Sequence, residues 1–179
     1  MKYVYLFVLL FLCLFSVIAQ AKNNKSSDQE YLCKEIDKKT YCEDTKHSPL
    51  TGKLRTYYTN DKPKSIENYK RGFRDGLTTF FDSKGNKQER LYYNHGIKNG
   101  TDKIYYPNRN IKFSANYDNG LLNSLFEVYN LEGDLLGRMK YKQGVLLKGY
   151  CIENKKKKNI SITELKEHKF NEMFTCGVK

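Results

Sequence analysis

The chain has 179 residues, with 32 Lys and Arg against 20 Asp and Glu, and a formal net charge of +12 at pH 7. This length predicts one domain of ordinary size rather than several. The basic balance admits acidic partners.

Residues 1–21 have the anatomy of a secretory signal. Lys2 precedes an apolar run from Tyr3 to Ile18, and Ala19-Gln20-Ala21 forms a small-residue cleavage site. An uncleaved membrane anchor is the alternative, because the apolar run is nearly long enough to span a bilayer. Cleavage would leave 158 of the 179 residues and lower the net charge from +12 to +11. We therefore predict an exported protein, periplasmic or extracellular.

Residues 22–48 are predicted to form a mobile leader and a disulfide-bonded lead-in. Residues 22–30 are too polar to bury a core. The cysteines that remain after cleavage are Cys33, Cys42, Cys151 and Cys176. An even number in an exported chain predicts two disulfides, for which three connectivities exist. Loop length and location favour Cys33 with Cys42 and Cys151 with Cys176.

Residues 49–150 contain the phrase Tyr-x-x-Gly four times at a spacing of 24 residues. Its tyrosines and glycines are Tyr69 and Gly72, Tyr93 and Gly96, Tyr117 and Gly120, and Tyr141 and Gly144. A fixed period predicts a repeat architecture, here of four copies and a partial fifth. Each tyrosine is expected to close a strand, and each glycine to make the tight turn into the next copy.

Each copy has two strand-like runs separated by turn residues. In the third copy the run from Thr101 to Tyr106 is followed by a turn at 107–110 and a second run from Ile111 to Tyr117. Gly, Asn and Asp favour such chain reversals, which predicts a β-hairpin. Alternation puts Phe113 and Ala115 on one face of the second run, and stacked copies would line up an aromatic and aliphatic ladder.

These phrases resemble a known family. Gly52 to Tyr58 and Gly100 to Tyr106 match an opening of the form Gly-x-x-x-x-Tyr-Tyr, while Ser124 departs from the opening glycine. Together with the strand that ends Tyr-x-x-Gly, they are similar to the MORN-repeat variant of many bacterial proteins, including those labelled YwqK-like antitoxins. The resemblance covers roughly residues 49–150. It implies protein or lipid binding by an elongated antiparallel sheet, with no common reaction.

Residues 151–179 are predicted to form a basic loop and a C-terminal capping helix. Lys155 to Lys158 supply the loop, and Ser161 to Glu164 read as a capping box at a helix start. A cap would cover the open edge of the last hairpin. The predicted fold is thus mainly β: an elongated single-layer antiparallel sheet of tandem 24-residue β-hairpin repeats with a short C-terminal capping helix.

No catalytic, cofactor-binding or metal-binding residues are predicted. The chain has no glycine-rich phosphate loop, no G-x-S-x-G and no HExxH. It also lacks C-x-x-C, and His47, His95 and His168 have no ligand-like spacing. An enzyme is therefore not expected.

We predict a non-enzymatic binding module for a protein or cell-envelope partner, acting as a monomer and not binding nucleic acid. The first alternative is an exported immunity or antitoxin-like protein that neutralises a toxin by binding. The second is a binder of anionic membrane surfaces through three basic stretches, at Lys62 to Lys70, Lys84 to Arg90 and Lys155 to Lys158.

Overall fold

A computed structural model describes residues 30–161, Thr163 and Cys176. The described part of the chain holds fourteen β-strands. They are β1 (Tyr31–Ile36), β2 (Lys39–Asp44), β3 (Gly52–Tyr57), β4 (Pro63–Lys70), β5 (Phe73–Arg74), β6 (Gly76–Phe81), β7 (Lys87–Asn94), β8 (Ile97–Lys98), β9 (Gly100–Tyr105), β10 (Ile111–Asp118), β11 (Leu121–Tyr129), β12 (Leu135–Lys142), β13 (Val145–Glu153) and β14 (Lys156–Asn159).

All fourteen strands join one open antiparallel sheet, which confirms the predicted mainly β class. The main order is β1-β2-β5-β4-β6-β7-β9-β10-β11-β12-β13-β14, with β3 added on β4 and β8 on β7. From β9 onward each strand pairs with the next one along the chain. The sheet therefore grows one hairpin at a time.

The tight turns follow the Tyr-x-x-Gly phrase. Gly72 has a φ of 85° and the preceding Arg71 a φ of 51°, and Asn119 and Gly120 repeat this pair at 48° and 80°. Two successive positive-φ residues between paired strands make a type I′ turn, whose twist matches that of the strands. The phrase glycines also donate backbone hydrogen bonds to carbonyls 22 residues earlier. These run from Gly72 to Leu50, Gly96 to Arg74, Gly120 to Lys98 and Gly144 to Leu122, at 2.7–2.8 Å.

A second class of connection has five residues and also recurs every 24 residues. Each such loop is closed by a 2.9 Å backbone hydrogen bond between its first and last residues: Tyr58 and Lys62, Asp82 and Asn86, Tyr106 and Asn110, Asn130 and Asp134. Neighbouring loops also bind each other, since the Tyr58 hydroxyl donates to the carbonyl of Phe81 at 2.7 Å and Tyr106 to that of Tyr129 at 3.0 Å.

Side chains alternate between the two faces of the sheet. In β12 Met139 and Tyr141 are buried, while Arg138 and Lys140 are exposed. We call the side that carries Met139 the packed face and the other side the open face. Antiparallel sheets commonly bury one face and hydrate the other.

Two apolar clusters occupy the packed face. The first is Cys42, Leu50, Leu54 and Tyr69. The second is Phe113, Ala115, Leu122, Phe126, Val128, Met139, Tyr141, Leu146 and Ile160. Phe126 is its centre, with ring centroids 5.8 Å from Phe113 and 6.3 Å from Tyr141. Aromatic side chains each bury on the order of 150–250 Å², so these rings dominate the packing.

The structure contains the disulfide pairing that loop length favours. Cys33 in β1 and Cys42 in β2 are direct strand partners and are bonded to each other. Cys151 in β13 is bonded to Cys176, whose sulfur lies beside Gly137. Two disulfides are typical of an oxidising, exported environment.

The basic loop predicted at the C-terminal end is wrong. Asn154 and Lys155 form a turn with positive φ, and Lys156–Asn159 is the edge strand β14. Three of the four lysines therefore lie on the sheet edge, where positive charge discourages pairing with another chain. The predicted signal segment 1–21 and the predicted capping helix lie outside the described residues, apart from Thr163 and Cys176.

Candidate binding face

A continuous row of side chains crosses the open face in register. Each member is the direct cross-strand partner of the next: Arg55, Ile66, Thr79, Arg90, Lys103, Ser114, Glu127, Arg138 and Tyr150. Neighbouring strands lie about 4.8 Å apart, so this row spans roughly 40 Å.

A second row lies two residues along each of the same strands. Its members are Lys53, Asn68, Leu77, Tyr92, Thr101, Asn116, Leu125, Lys140 and Lys148. The two rows together are called the basic face. They carry seven cations (Arg55, Arg90, Lys103, Arg138, Lys53, Lys140 and Lys148) and one carboxylate, Glu127. The basic face therefore has a formal charge of +6.

Carboxylates lie instead on the packed face, where cations bind them. Glu67 is 5% exposed, and its Oε2 accepts from Arg74 Nε at 2.6 Å and from the Tyr69 hydroxyl at 2.9 Å. Burial raises the pKa of Tyr69 above its usual range. These contacts fix the orientation of all three polar groups, which indicates a structural role.

A second ion-pair group sits one repeat along. Lys98 Nζ lies 2.9 Å from Asp102 Oδ2 and 3.5 Å from Glu89 Oε1, and also over the ring of Tyr117. Burial raises the pKa of Glu89, and nearby Asp102 raises it further. Burial alone would lower the pKa of Lys98, but the carboxylate of Asp102 raises it above its usual range. Among the described residues Asp102 Oδ1 is a buried atom without a hydrogen-bond partner.

Exposed apolar groups accompany the cations on the open face. Tyr57 is 45% exposed, Tyr92 41% and Leu125 39%. Protein-binding surfaces are enriched in aromatic residues and Arg. The combination of aromatic rings and unpaired cations gives this face the chemistry of a binding surface.

A pocket of about 490 Å³ opens at the β12–β13 end of the basic face. The described residues that line it are Leu125, Arg138, Met139, Lys140, Lys148, Gly149, Tyr150, Asn159 and Ile160. We call it the Lys140–Lys148 pocket. Five of these residues belong to the basic face, and Asn159 extends its first row as the partner of Tyr150.

The cations of this pocket differ in their pairing. Arg138 Nη2 lies 2.6 Å from Glu127 Oε1, and the hydrogen bond from Glu127 raises the pKa of Arg138. Lys140 and Lys148 are direct cross-strand partners of each other. Within the described part of the chain, no carboxylate forms an ion pair with either lysine. Like charges directly opposite one another destabilise a sheet.

The predicted repeat positions lie on the packed face and its turns. Tyr69 and Tyr141 are buried, and burial raises the pKa values of the half-buried Tyr93 and Tyr117. The phrase glycines all have positive φ. None of these residues belongs to the basic face.

Most cations of the basic face were missed by the sequence interpretation. The predicted basic stretches run along the chain, whereas Lys103, Arg138, Lys140 and Lys148 are brought together across strands. The signal that finds them is alternation, because they occupy the positions between the ladder residues. In the residues that the structure describes, no group of three potential metal ligands occurs, and no helix is long and apolar enough to cross a membrane.

Comparison with known proteins gives little beyond this geometry. No family model and no curated protein matches the chain. Two crystal structures of TarM, one of them a mutant from S. aureus, are similar over 82% of this chain, with identities of 15% and 14% and TM-scores of 0.35 and 0.34. The chain spans 23% of the length of either structure. Similarity at this level carries no argument about function.

Proposed function

We propose that this chain is an exported, non-enzymatic β-repeat module that captures a protein or cell-envelope component on its basic face. The 24-residue recurrence of both turn classes supports tandem hairpin repeats as the scaffold. Two disulfides support action in the periplasm or outside the cell.

One observation carries the proposal. The sheet uses one face for its core and presents on the other seven cations against one carboxylate, interleaved with exposed tyrosines. Surface lysines and arginines that pair with nothing contribute little to stability. Their concentration on one face is explained if a partner of complementary charge binds there.

The test is affinity capture of the tagged protein from its own cells after cross-linking, with retained species identified by mass spectrometry. Arg90→Gln with Lys103→Gln removes two adjacent cations from the centre of the basic face. We expect this variant to lose most of the captured partner, because desolvated charge contacts each contribute about 1.5–3 kcal/mol to binding. Its urea unfolding midpoint should match that of the parent.

The matched control is Lys156→Gln with Lys158→Gln, which removes the same charge from the edge strand. This variant should capture the partner normally. Equal losses in the two variants, or no loss in either, would contradict the proposal.

A second candidate is contact with an anionic lipid surface, which the charge of the basic face favours. Retention of anionic lipid without a dominant protein in the same capture would support it. Such binding must weaken from 0.1 M to 1 M salt, because the screening length falls from about 10 Å to about 3 Å.

A further inference from the structure

We propose that the Lys140–Lys148 pocket binds a phosphate monoester, with the organic part of the ligand resting on Leu125 and Tyr150. This inference rests on the proposed use of the basic face, and it assigns a ligand class to one place on it.

The charge of the pocket matches such a group. Lys140 and Lys148 contribute two positive charges, and Glu127 neutralises Arg138 across a 2.6 Å ion pair. The pocket therefore has a formal charge of +2. A phosphate monoester carries about −1.5 to −2 at pH 7 and offers three acceptor oxygens, so it can bind both ammonium groups at once.

The cross-strand pairing of the two lysines gives the site its purpose. Two cations held opposite each other repel and lower the stability of the sheet. No carboxylate in the described residues offsets this repulsion by an ion pair. A bound dianion would remove it, and the same geometry that costs stability in the free protein would then favour the ligand.

The walls accommodate an organic group beside the phosphate. The volume of about 490 Å³ falls within the range of small-molecule sites, roughly 300–1,000 Å³, and exceeds the need of a bare phosphate ion. Leu125 is 39% exposed and supplies an apolar wall. Tyr150 supplies a ring, over which Lys157 Nζ lies at 4.8 Å from the centroid.

The test is calorimetric titration of the oxidised full chain with phenyl phosphate, inorganic phosphate and phenol. Phenyl phosphate should bind saturably and more tightly than inorganic phosphate, and phenol should not bind. Lys140→Gln with Lys148→Gln should weaken phenyl phosphate binding at least about tenfold, the expected effect of losing a charge-assisted hydrogen bond. The same variant should raise the urea midpoint, because it relieves the lysine repulsion. Weakened binding would then not be a folding defect.

The control is Arg90→Gln with Lys103→Gln, which removes a like-charge pair of the same face outside the lining of this pocket. It should bind phenyl phosphate as the parent does. An equal loss in this control, or no saturable binding of phenyl phosphate by the parent, would overturn the inference.

Two further readouts separate the source of the phosphate and the fate of the proposed module. Vesicles whose headgroups carry a phosphate monoester should sediment with the protein if the ligand is a lipid, and phenyl phosphate should displace them. Absence of sedimentation with retained phenyl phosphate binding assigns a soluble or polymer-borne group. Phenyl phosphate binding that persists when the face variants leave partner capture unchanged would keep the pocket and reject the capture function.

Discussion

Replacing Glu67 by Gln is expected to lower the free energy of unfolding by about 3–5 kcal/mol, the cost of removing one partner of a buried ion pair. Glu67 is 5% exposed, and it accepts from Arg74 and Tyr69 together. The change keeps the side-chain shape but leaves the guanidinium of Arg74, with 20% of its side chain exposed, without its counter-ion. Urea unfolding of the oxidised protein, followed by tyrosine fluorescence, measures the loss.

The matched control is Glu127→Gln, which breaks the ion pair to Arg138 on the open face. Because that arginine remains in contact with water, the urea midpoint should move far less than for Glu67→Gln. Similar shifts in the two variants would show that the Glu67–Arg74 pair is not buried in solution.

Replacing Gly72 by Ala is expected to be the second most destabilising change. Gly72 has a φ of 85°, and a left-handed backbone costs an L-residue roughly 1–2 kcal/mol. A Cβ at this position would also contact ring atoms of Tyr41 far inside van der Waals distance. Forcing an extra carbon into a packed site typically costs a further 1–3 kcal/mol or so. The total loss should be about 2–5 kcal/mol by urea unfolding.

Gly85→Ala separates the backbone cost from the packing cost. Gly85 has a φ of 89°, and the nearest atom to a new Cβ is Lys62 Cδ at 3.6 Å. This variant should lose only the backbone part. Equal losses for Gly72→Ala and Gly85→Ala would contradict the close packing of the first turn against Tyr41.

The strands and tight turns were the predictable part of the fold. Tyr-x-x-Gly places a glycine where the second turn residue needs positive φ, and the register of Phe113 and Ala115 follows from alternation. These are local properties of the backbone, so a single sequence carries them.

The charged part of the packed face was not predictable by hydrophobic pattern alone. At the positions of Glu67 and Arg74, the fourth copy has Met139 and Leu146 instead. An ion pair thus replaces an apolar pair at equivalent places, and only spatial pairing shows that the charges bind each other. The pattern also hid β14, because four lysines in succession resemble a solvated loop.

The basic face was accessible to the sequence only through the register of the strands. Residues that adjoin in its rows are 11 to 13 positions apart along the chain, as in Arg90 and Lys103 or Glu127 and Arg138. Counting lysines along the chain therefore overlooked the rows. The pocket needs a further fact, the direct opposition of Lys140 and Lys148, which depends on the register shift within β12 and β13.

The most direct test of the basic face as a binding surface is lysine footprinting with an amine-reactive reagent. Modification of the protein in intact cells is compared by mass spectrometry with modification of the purified protein. The proposed function predicts that Lys103, Lys140 and Lys148 are protected in cells, while Lys156 and Lys158 on the edge strand react equally in both states. Equal modification of the face lysines in both states would contradict it.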